Sequence, residues 1–431
     1  MKTPIYDFLL KNSYSTNIKA YMPGHKGLLN THDITEIDGA DSLYECEINK
    51  GIIYQSELNA QSLFNSKRTL YSTQGSTLSI QTMLMLLKLR FPDKNRIAAF
   101  RFAHRSFISA AVLLDFEIDW IYSDEFLSCS VSADDVKKAI NDKTSGVFLN
   151  HFDYHGGKCD LFAIRDAIGD IPLLVDNAHG AYLVFENENH PNNFADLVCD
   201  SAHKTLPVLT GGGYLHINNE EFLPFAKEGM AILGSSSPSY LIMESLDLCN
   251  KFIYENYDKY HEVCNLIENF RQELSNLGFE LVAARDKMKV VVKAYSYGYT
   301  GTALANELKA RGLECEFADY NYTVLLFSIM NSRADFKKSL ACFRNISKRI
   351  SIAYQNIYSN SETSFLSPKD AFFSKSEIVS TKAALNRINA GIFSPCPPGV
   401  PLVMPGEIIS EKVLDLLSCF GVQSIRVVCN K

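Results

Sequence analysis

From about residue 71 to residue 217 the chain alternates amphipathic stretches with short apolar runs. Apolar residues recurring every three to four positions predict helices over 78–89, 104–114, 133–140 and 160–168. Short runs rich in aliphatic and aromatic residues predict strands at 96–100, 118–122, 146–149, 172–175 and 196–199. Strands separated by helices call for an α/β fold with a mainly parallel sheet covered on both faces. In such sheets ligands gather at the carboxyl ends of the strands.

Past residue 214 the pattern turns more helical, with a long, interrupted stretch over 239–277 able to link two domains. Beyond 279, short strands at 289–293 and 323–328 flank helices, which reads as a smaller α+β domain. The Ser/Asn-rich run 358–367 is the most loop-like connection. The resulting division is an N-terminal arm (1–45), a large domain (46–278) and a C-terminal small domain (279–431), with a further subdivision near 358–367.

Composition narrows the class. A chain of 431 residues is too long for one simple core. With 46% hydrophobic and 21% charged residues it reads as an ordinary soluble globular protein. A formal net charge of −7 argues against nucleic acid or an anionic membrane as partner. The first ten residues lack the apolar core of a signal peptide, and no run reaches the roughly 18 to 20 apolar residues of a membrane span. A cytoplasmic protein is expected. The eleven cysteines are scattered singly, without a Cys-x-x-Cys pair. That suits reduced thiols, most of them in the core, and neither a disulfide frame nor a metal site.

The candidate chemistry lies at two strand ends. One apolar strand delivers Asp176 in the run Asp176-Asn-Ala-His-Gly180, and the next leads into Ser201-Ala-His-Lys204. This layout suits a pyridoxal 5'-phosphate (PLP) enzyme. The lysine joins the cofactor aldehyde, the aspartate holds the pyridinium proton, and small polar side chains take the phosphate. Each stretch alone also fits a plain strand end or a solvated turn.

Gly75, Ser76 and Thr77 open a predicted helix, where backbone N–H groups and the helix dipole favour a phosphate dianion. A plain Ser/Thr cap reads the same way. Ser201 and His203 add two further phosphate donors. His104 opens a helix after the strand at 96–100, a place suited to stacking on the pyridine face and equally open to a structural histidine. His179 could sit near the ring or orient Asp176. To act as a nucleophile Lys204 needs a desolvated, electropositive pocket.

With these residues placed, the sequence resembles the Orn/Lys/Arg decarboxylases, PLP enzymes of the aspartate aminotransferase-like fold (fold type I). The resemblance runs through almost the whole chain. It is carried by Met22-Pro-Gly-His-Lys-Gly27, Asp33-Ile-Thr-Glu36, Asp41-Ser-Leu43, Gln74-Gly-Ser-Thr77, the His104 segment, the Asp176 and Lys204 runs, and Pro397-Pro-Gly-Val-Pro-Leu-Val-Met-Pro-Gly-Glu407. It implies decarboxylation of a basic amino acid (lysine, ornithine or arginine) to the amine and CO2. It makes Lys204 the Schiff-base lysine, Asp176 the ring-nitrogen partner and His104 the stacking residue. Ser76, Thr77, Ser201 and His203 become phosphate contacts. It also implies a compact family form lacking an N-terminal wing domain, working as a homodimer with interfacial active sites.

Two positions depart from the family pattern. Gly391 stands where an acidic residue near the substrate is usual, and Cys396 where an aromatic residue commonly precedes Pro-Pro-Gly. A lost carboxylate would weaken recognition of a distal amine or guanidinium by about 1.5–3 kcal/mol. Another PLP reaction on the same scaffold, such as transamination or elimination, and a non-catalytic PLP-binding homologue remain open alternatives.

Overall fold

The structure is a computed structural model that describes residues 1–13, 51–123, 128–355, 365–395 and 399–429. The motifs at 22–27, 33–36 and 41–43, most of the arm, Cys396 and most of the 358–367 run lie outside the described residues. The strands are β1 (Arg68–Ser72), β2 (Arg96–Phe100), β3 (Glu117–Ile121), β4 (Thr144–Asn150), β5 (Leu173–Asp176), β6 (Leu197–Asp200) and β7 (Gly213–Ile217), followed by β8 (Lys289–Lys293), β9 (Phe317–Ala318), β10 (Tyr322–Leu326), β11 (Ser376–Ser380) and β12 (Ser424–Val428). The helices used below are α1 (Pro4–Ser13), α2 (Ile52–Leu63), α3 (Gly75–Arg90), α4 (Arg105–Leu114), α5 (Ala133–Lys138), α6 (Leu161–Ile168), α7 (Ala202–Thr205), α8 (Ala226–Leu233), α9 (Tyr240–Glu255) and α10 (Tyr257–Asn276).

The chain divides into two compact units. The first comprises Met1–Pro92, Pro172–His261 and Ser328–Met330, and the second comprises Asp93–Ile171, Glu262–Phe327 and Asn331–Lys431. In the first, the strands lie in the order β1-β7-β6-β5. β5 and β6 are parallel, while β7 runs antiparallel to both β6 and β1. α3 packs over β6 and β7 and buries Leu78, Ile80, Met83, Leu84, Leu86 and Leu87. Each such side chain stabilises the fold by about 1.5–3 kcal/mol. Its polar start is thereby fixed at the strand ends.

In the second unit β2 lies between β4 and β3, parallel to both. α4 covers these strands with an apolar face, where Phe107 stacks on Phe148 at 4.3 Å between ring centroids. The same unit holds a β8-β10-β9 sheet and a β11-β12 pair. An apolar cluster of Leu402, Val403, Ile409, Val413, Leu417 and Val427 supports that pair.

The predicted strands and helices are present within a few residues. The long stretch over 239–277 resolves into α9 and α10, with the break at Asn256. Among the described residues five strands were not predicted: β1, β7, the two-residue β9 and the pair β11 and β12. β1 opens on Arg68, whose guanidinium is buried against Glu57 at 2.6 Å, so its polar start hides an interior strand. β7 opens on Gly213 at the end of a three-glycine run that reads as loop. The glycine is required there, because a Cβ would stand 2.7 Å from the Asp200 carbonyl oxygen and 3.2 Å from the Gly75 carbonyl carbon. The cysteines also depart from expectation: of the nine described, only Cys129, Cys159, Cys199 and Cys249 are buried.

Candidate active site

In the first unit the parallel register of β5 and β6 sets Asp176 beside Cys199. It therefore places the two loops leaving these strands side by side. Asp176 is buried, and its Oδ1 accepts the Ala178 N–H at 3.0 Å and the Cys199 S–H at 3.6 Å. Burial pushes its carboxyl up, opposed chiefly by the positive charge of Lys204. A desolvated carboxylate of this kind is completed by a cationic N–H partner.

Lys204 rides on α7, a single turn that starts after Ser201 at the end of β6. Its Nζ lies 3.2 Å from His179 Nε2, so the second half of the Asp176 loop reaches the nucleophile directly. His179 thus sits at the lysine, a contact the sequence did not suggest.

The phosphate end is built by α3. The helix begins at Gly75 (φ +64°), and no side chain caps its first turn. The Gly75 N–H donates to the Gly211 carbonyl at 2.6 Å. Ser201 Oγ donates to Ser76 Oγ at 2.8 Å, which brings the two predicted hydroxyls together. A Cβ on Gly75 would touch His203 Cε1 at 3.6 Å, so the imidazole stands at the helix start. Thr77 is exposed on the same first turn. A side-chain-free helix N-terminus, two converging hydroxyls and a glycine cradle fit a phosphate group.

His203 carries a condition. Its Nδ1 lies 3.0 Å from the Gly212 carbonyl, which only an N–H can satisfy. Burial pushes its pKa down, and the Lys204 charge adds to this. In its neutral form Nε2 is then a lone pair, and it can donate to a phosphate only after gaining a proton.

The sequence reading overlooked what holds these loops. Asp200, fully buried at the end of β6, accepts His190 Nε2 and His216 Nε2 on Oδ2, each at 3.1 Å, and Asn177 Nδ2 on Oδ1 at 2.7 Å. Asn177 follows Asp176, so Asp200 ties the two site loops together. Burial pushes the Asp200 carboxyl up, but the two histidines outweigh it and hold it well below the ordinary carboxylate range. The three groups also offer atoms within 4.8 Å of one another, as a metal would need. His190 Nδ1, however, accepts the Asn192 N–H at 3.2 Å, so its proton sits on Nε2 and points at Asp200. The arrangement is a hydrogen-bonded cluster. Asn177 and Asp200 stand in or beside the quoted runs, whereas His190 and His216 belong to no motif.

His104 lies in the second unit. It is the N-cap of α4: Nδ1 accepts the Ser106 N–H at 3.3 Å and lies 2.7 Å from Ser106 Oγ. Gly391 shows no obstacle to a side chain, since a Cβ there would meet Arg426 Cβ at 3.5 Å, an ordinary contact. Its neighbour Asn389 bonds the Gly391 N–H and carbonyl and the Val403 carbonyl. That loop is therefore held in shape by an amide, with no carboxylate at position 391.

The fold and the paired Asp/Lys loops define a PLP fold type I architecture. Residues 3–295 match the major domain of Orn/Lys/Arg decarboxylases, and residues 352–424 match their C-terminal domain. The chain belongs to the Orn/Lys/Arg decarboxylase family, whose members and fold neighbours are PLP enzymes, and it is an enzyme of the decarboxylase (carbon–carbon lyase) class.

It is 28% identical to the uncharacterized protein YaaO of Bacillus subtilis, over 97% of this chain and 94% of that one. It is 26% identical to the arginine decarboxylase of Bacillus subtilis, over 96% and 93% of the two chains. Among solved structures, the Francisella novicida lysine decarboxylase LdcF superposes with a TM-score of 0.80 at 16% identity, covering 99% of this chain and 81% of that one. The constitutive lysine decarboxylase of E. coli gives 0.79 at 16%, covering 99% and 82%.

Proposed function

We propose that this chain holds PLP on Lys204 and removes the α-carboxyl group of a basic amino acid (arginine, lysine or ornithine), giving the amine and CO2. One observation carries the reading: Lys204, His179 and the buried Asp176 converge at two parallel strand ends in the unit where α3 presents its bare N-terminus. Family membership supports the reaction, and the arginine and lysine decarboxylases among its relatives support a basic substrate.

When bound, PLP supplies the electron sink that takes up the electrons left as CO2 departs. The residues do the rest. Asp176 holds the proton on the ring nitrogen, and burial strengthens that pairing. Gly75, Ser76, Thr77, Ser201 and His203 would hold the phosphate, and the family resemblance assigns the ring face to His104. His179 Nε2 accepts a proton from Lys204 Nζ, freeing the amine for attack. The reaction takes up one proton per turnover at the substrate α-carbon, and Lys204 with His179 is positioned to deliver it.

The same proposal covers a cytoplasmic homodimer with interfacial active sites and the arm, large-domain and small-domain division at 1–45, 46–278 and 279–431. The dimer is what the family resemblance implies, and light scattering tests it.

Borohydride reduction followed by peptide mapping tests the cofactor reading. The expected result is a pyridoxyl adduct on Lys204 and none in Lys204→Ala. A colourless protein with no reducible adduct contradicts it.

A further inference from the structure

The Pro-Gly-rich segment 399–407 closes on the loop that carries His104, and both belong to the second unit. Arg101, the first residue after β2, is buried and donates through NH2 to Glu407 Oε2 at 2.8 Å. The same guanidinium donates to the Pro401 carbonyl at 3.3 Å and the Leu402 carbonyl at 3.5 Å. Glu407 is equally buried and accepts the Met404 N–H at 2.7 Å, which folds the segment back on itself. The segment's first described residue, Gly399, accepts the Arg105 N–H at 2.9 Å, and its φ is +73°. A Cβ on Gly399 would stand 2.6 Å from His104 Nε2. The ring of His104 is thus bounded by Ser106 on the Nδ1 side and by bare backbone on the Nε2 side.

We propose that Arg101 and Glu407 form a latch that presses segment 399–407 against His104 and fixes the orientation of its ring. Both are positioning residues and act through Gly399. Breaking a buried ion pair is costly because it leaves a charge without its partner, and here the guanidinium also binds two carbonyls of the segment while Glu407 Oε2 also binds the Met404 N–H. The latch explains why Pro-Gly-Val-Pro and Met-Pro-Gly-Glu occur together: the glycine gives the close approach and the glutamate anchors it. Its effect on turnover rests on the proposed cofactor role of His104, whereas the latch itself involves one unit alone.

The test is diethyl pyrocarbonate labelling of the protein as purified, with each histidine quantified by mass spectrometry. His155 of the same unit, whose Nε2 lies 3.1 Å from Asp319, is the internal standard. Glu407→Gln and Arg101→Lys are expected to raise His104 labelling relative to His155 by about fivefold or more, through local opening. Arg101→Lys should show the smaller rise, because it keeps the charge. Gly399→Ala leaves the ion pair intact and displaces the ring sterically, so it should raise His104 labelling as well. Unchanged His104 labelling in folded variants, or a parallel rise at His155, overturns the latch. The labelling needs no cofactor, so failure of the PLP reading, seen as a missing adduct on Lys204, is read separately.

Discussion

Lys204 and His179 show how a short sequence run becomes chemistry. Three residues beyond Asp176, His179 reaches 3.2 Å from Lys204 Nζ because β5 and β6 run parallel and in register. Replacing Lys204 with alanine should abolish turnover, with a loss of at least about a thousandfold in kcat, as expected when the covalent nucleophile is removed. The neighbouring Asp200 carries a different load. Asp200→Ala leaves two histidines and Asn177 facing a buried gap, and should cost about 3–5 kcal/mol by chemical denaturation. A change below about 1 kcal/mol would show that the cluster holds nothing.

His203 makes a pH prediction. Burial holds its pKa down in the empty protein, and a bound phosphate dianion would favour the protonated ring. Binding therefore takes up a proton, and cofactor affinity falls as pH rises from the pKa of the free form to that of the bound form, levelling off above it. Absorbance titrations at several pH values check this. In His203→Gln the pH dependence should flatten, and an affinity that rises with pH would refute the role.

The elements extend this reading and show where the sequence was silent. Gly75 was legible as a helix start, but its positive φ was not, since a glycine before Ser-Thr suits an ordinary cap as well. Gly75→Ala meets only an ordinary contact at His203, so its cost is backbone strain of about 1–2 kcal/mol. Because that strain falls on the first turn of α3, cofactor affinity should drop along with stability, as calorimetry and absorbance titration can show.

Helix α1 is docked through Asp247 of α9, whose Oδ2 accepts the Ile5 and Tyr6 N–H groups at 3.0 and 3.1 Å. Burial pushes this carboxyl up to about 6 against hydrogen bonds that lower it. A folded value above the ordinary one means the contribution is full at acid pH and is lost as pH rises through about 6. The gap of about two pH units corresponds to roughly 3 kcal/mol. Amide exchange at Ile5 and Tyr6, corrected for intrinsic rates, should accelerate above neutrality in the wild type and lose that dependence in Asp247→Asn. Protection that increases with pH would contradict the assignment.

At the scale of the molecule, the parallel strands and the loops carrying Asp176 and Lys204 were legible because each is a local pattern with a turn at a fixed place. β1 and β7 were hidden because a buried arginine and a glycine run disguise interior strands. The Asp200 cluster was hidden because its histidines lie on segments that only the sheet brings together. The family resemblance implies an acidic residue near the substrate where this chain has Gly391, in a loop held by Asn389, and we propose that substrate choice is set there. Substituting Gly391 with glutamate meets no steric obstacle. If position 391 faces the substrate, that change should lower KM for the amino acid bearing the distal cation without altering the adduct on Lys204. An unchanged KM across the panel would place the specificity elsewhere.

The central claim is that Lys204 supports decarboxylation of a basic amino acid. The most direct measurement incubates purified protein with arginine, lysine and ornithine and quantifies CO2 and amine together. The account predicts equal amounts of CO2 and the matching amine from at least one of the three, and neither from Lys204→Ala. Keto acid in place of amine, or amine formation that survives in Lys204→Ala, would contradict it.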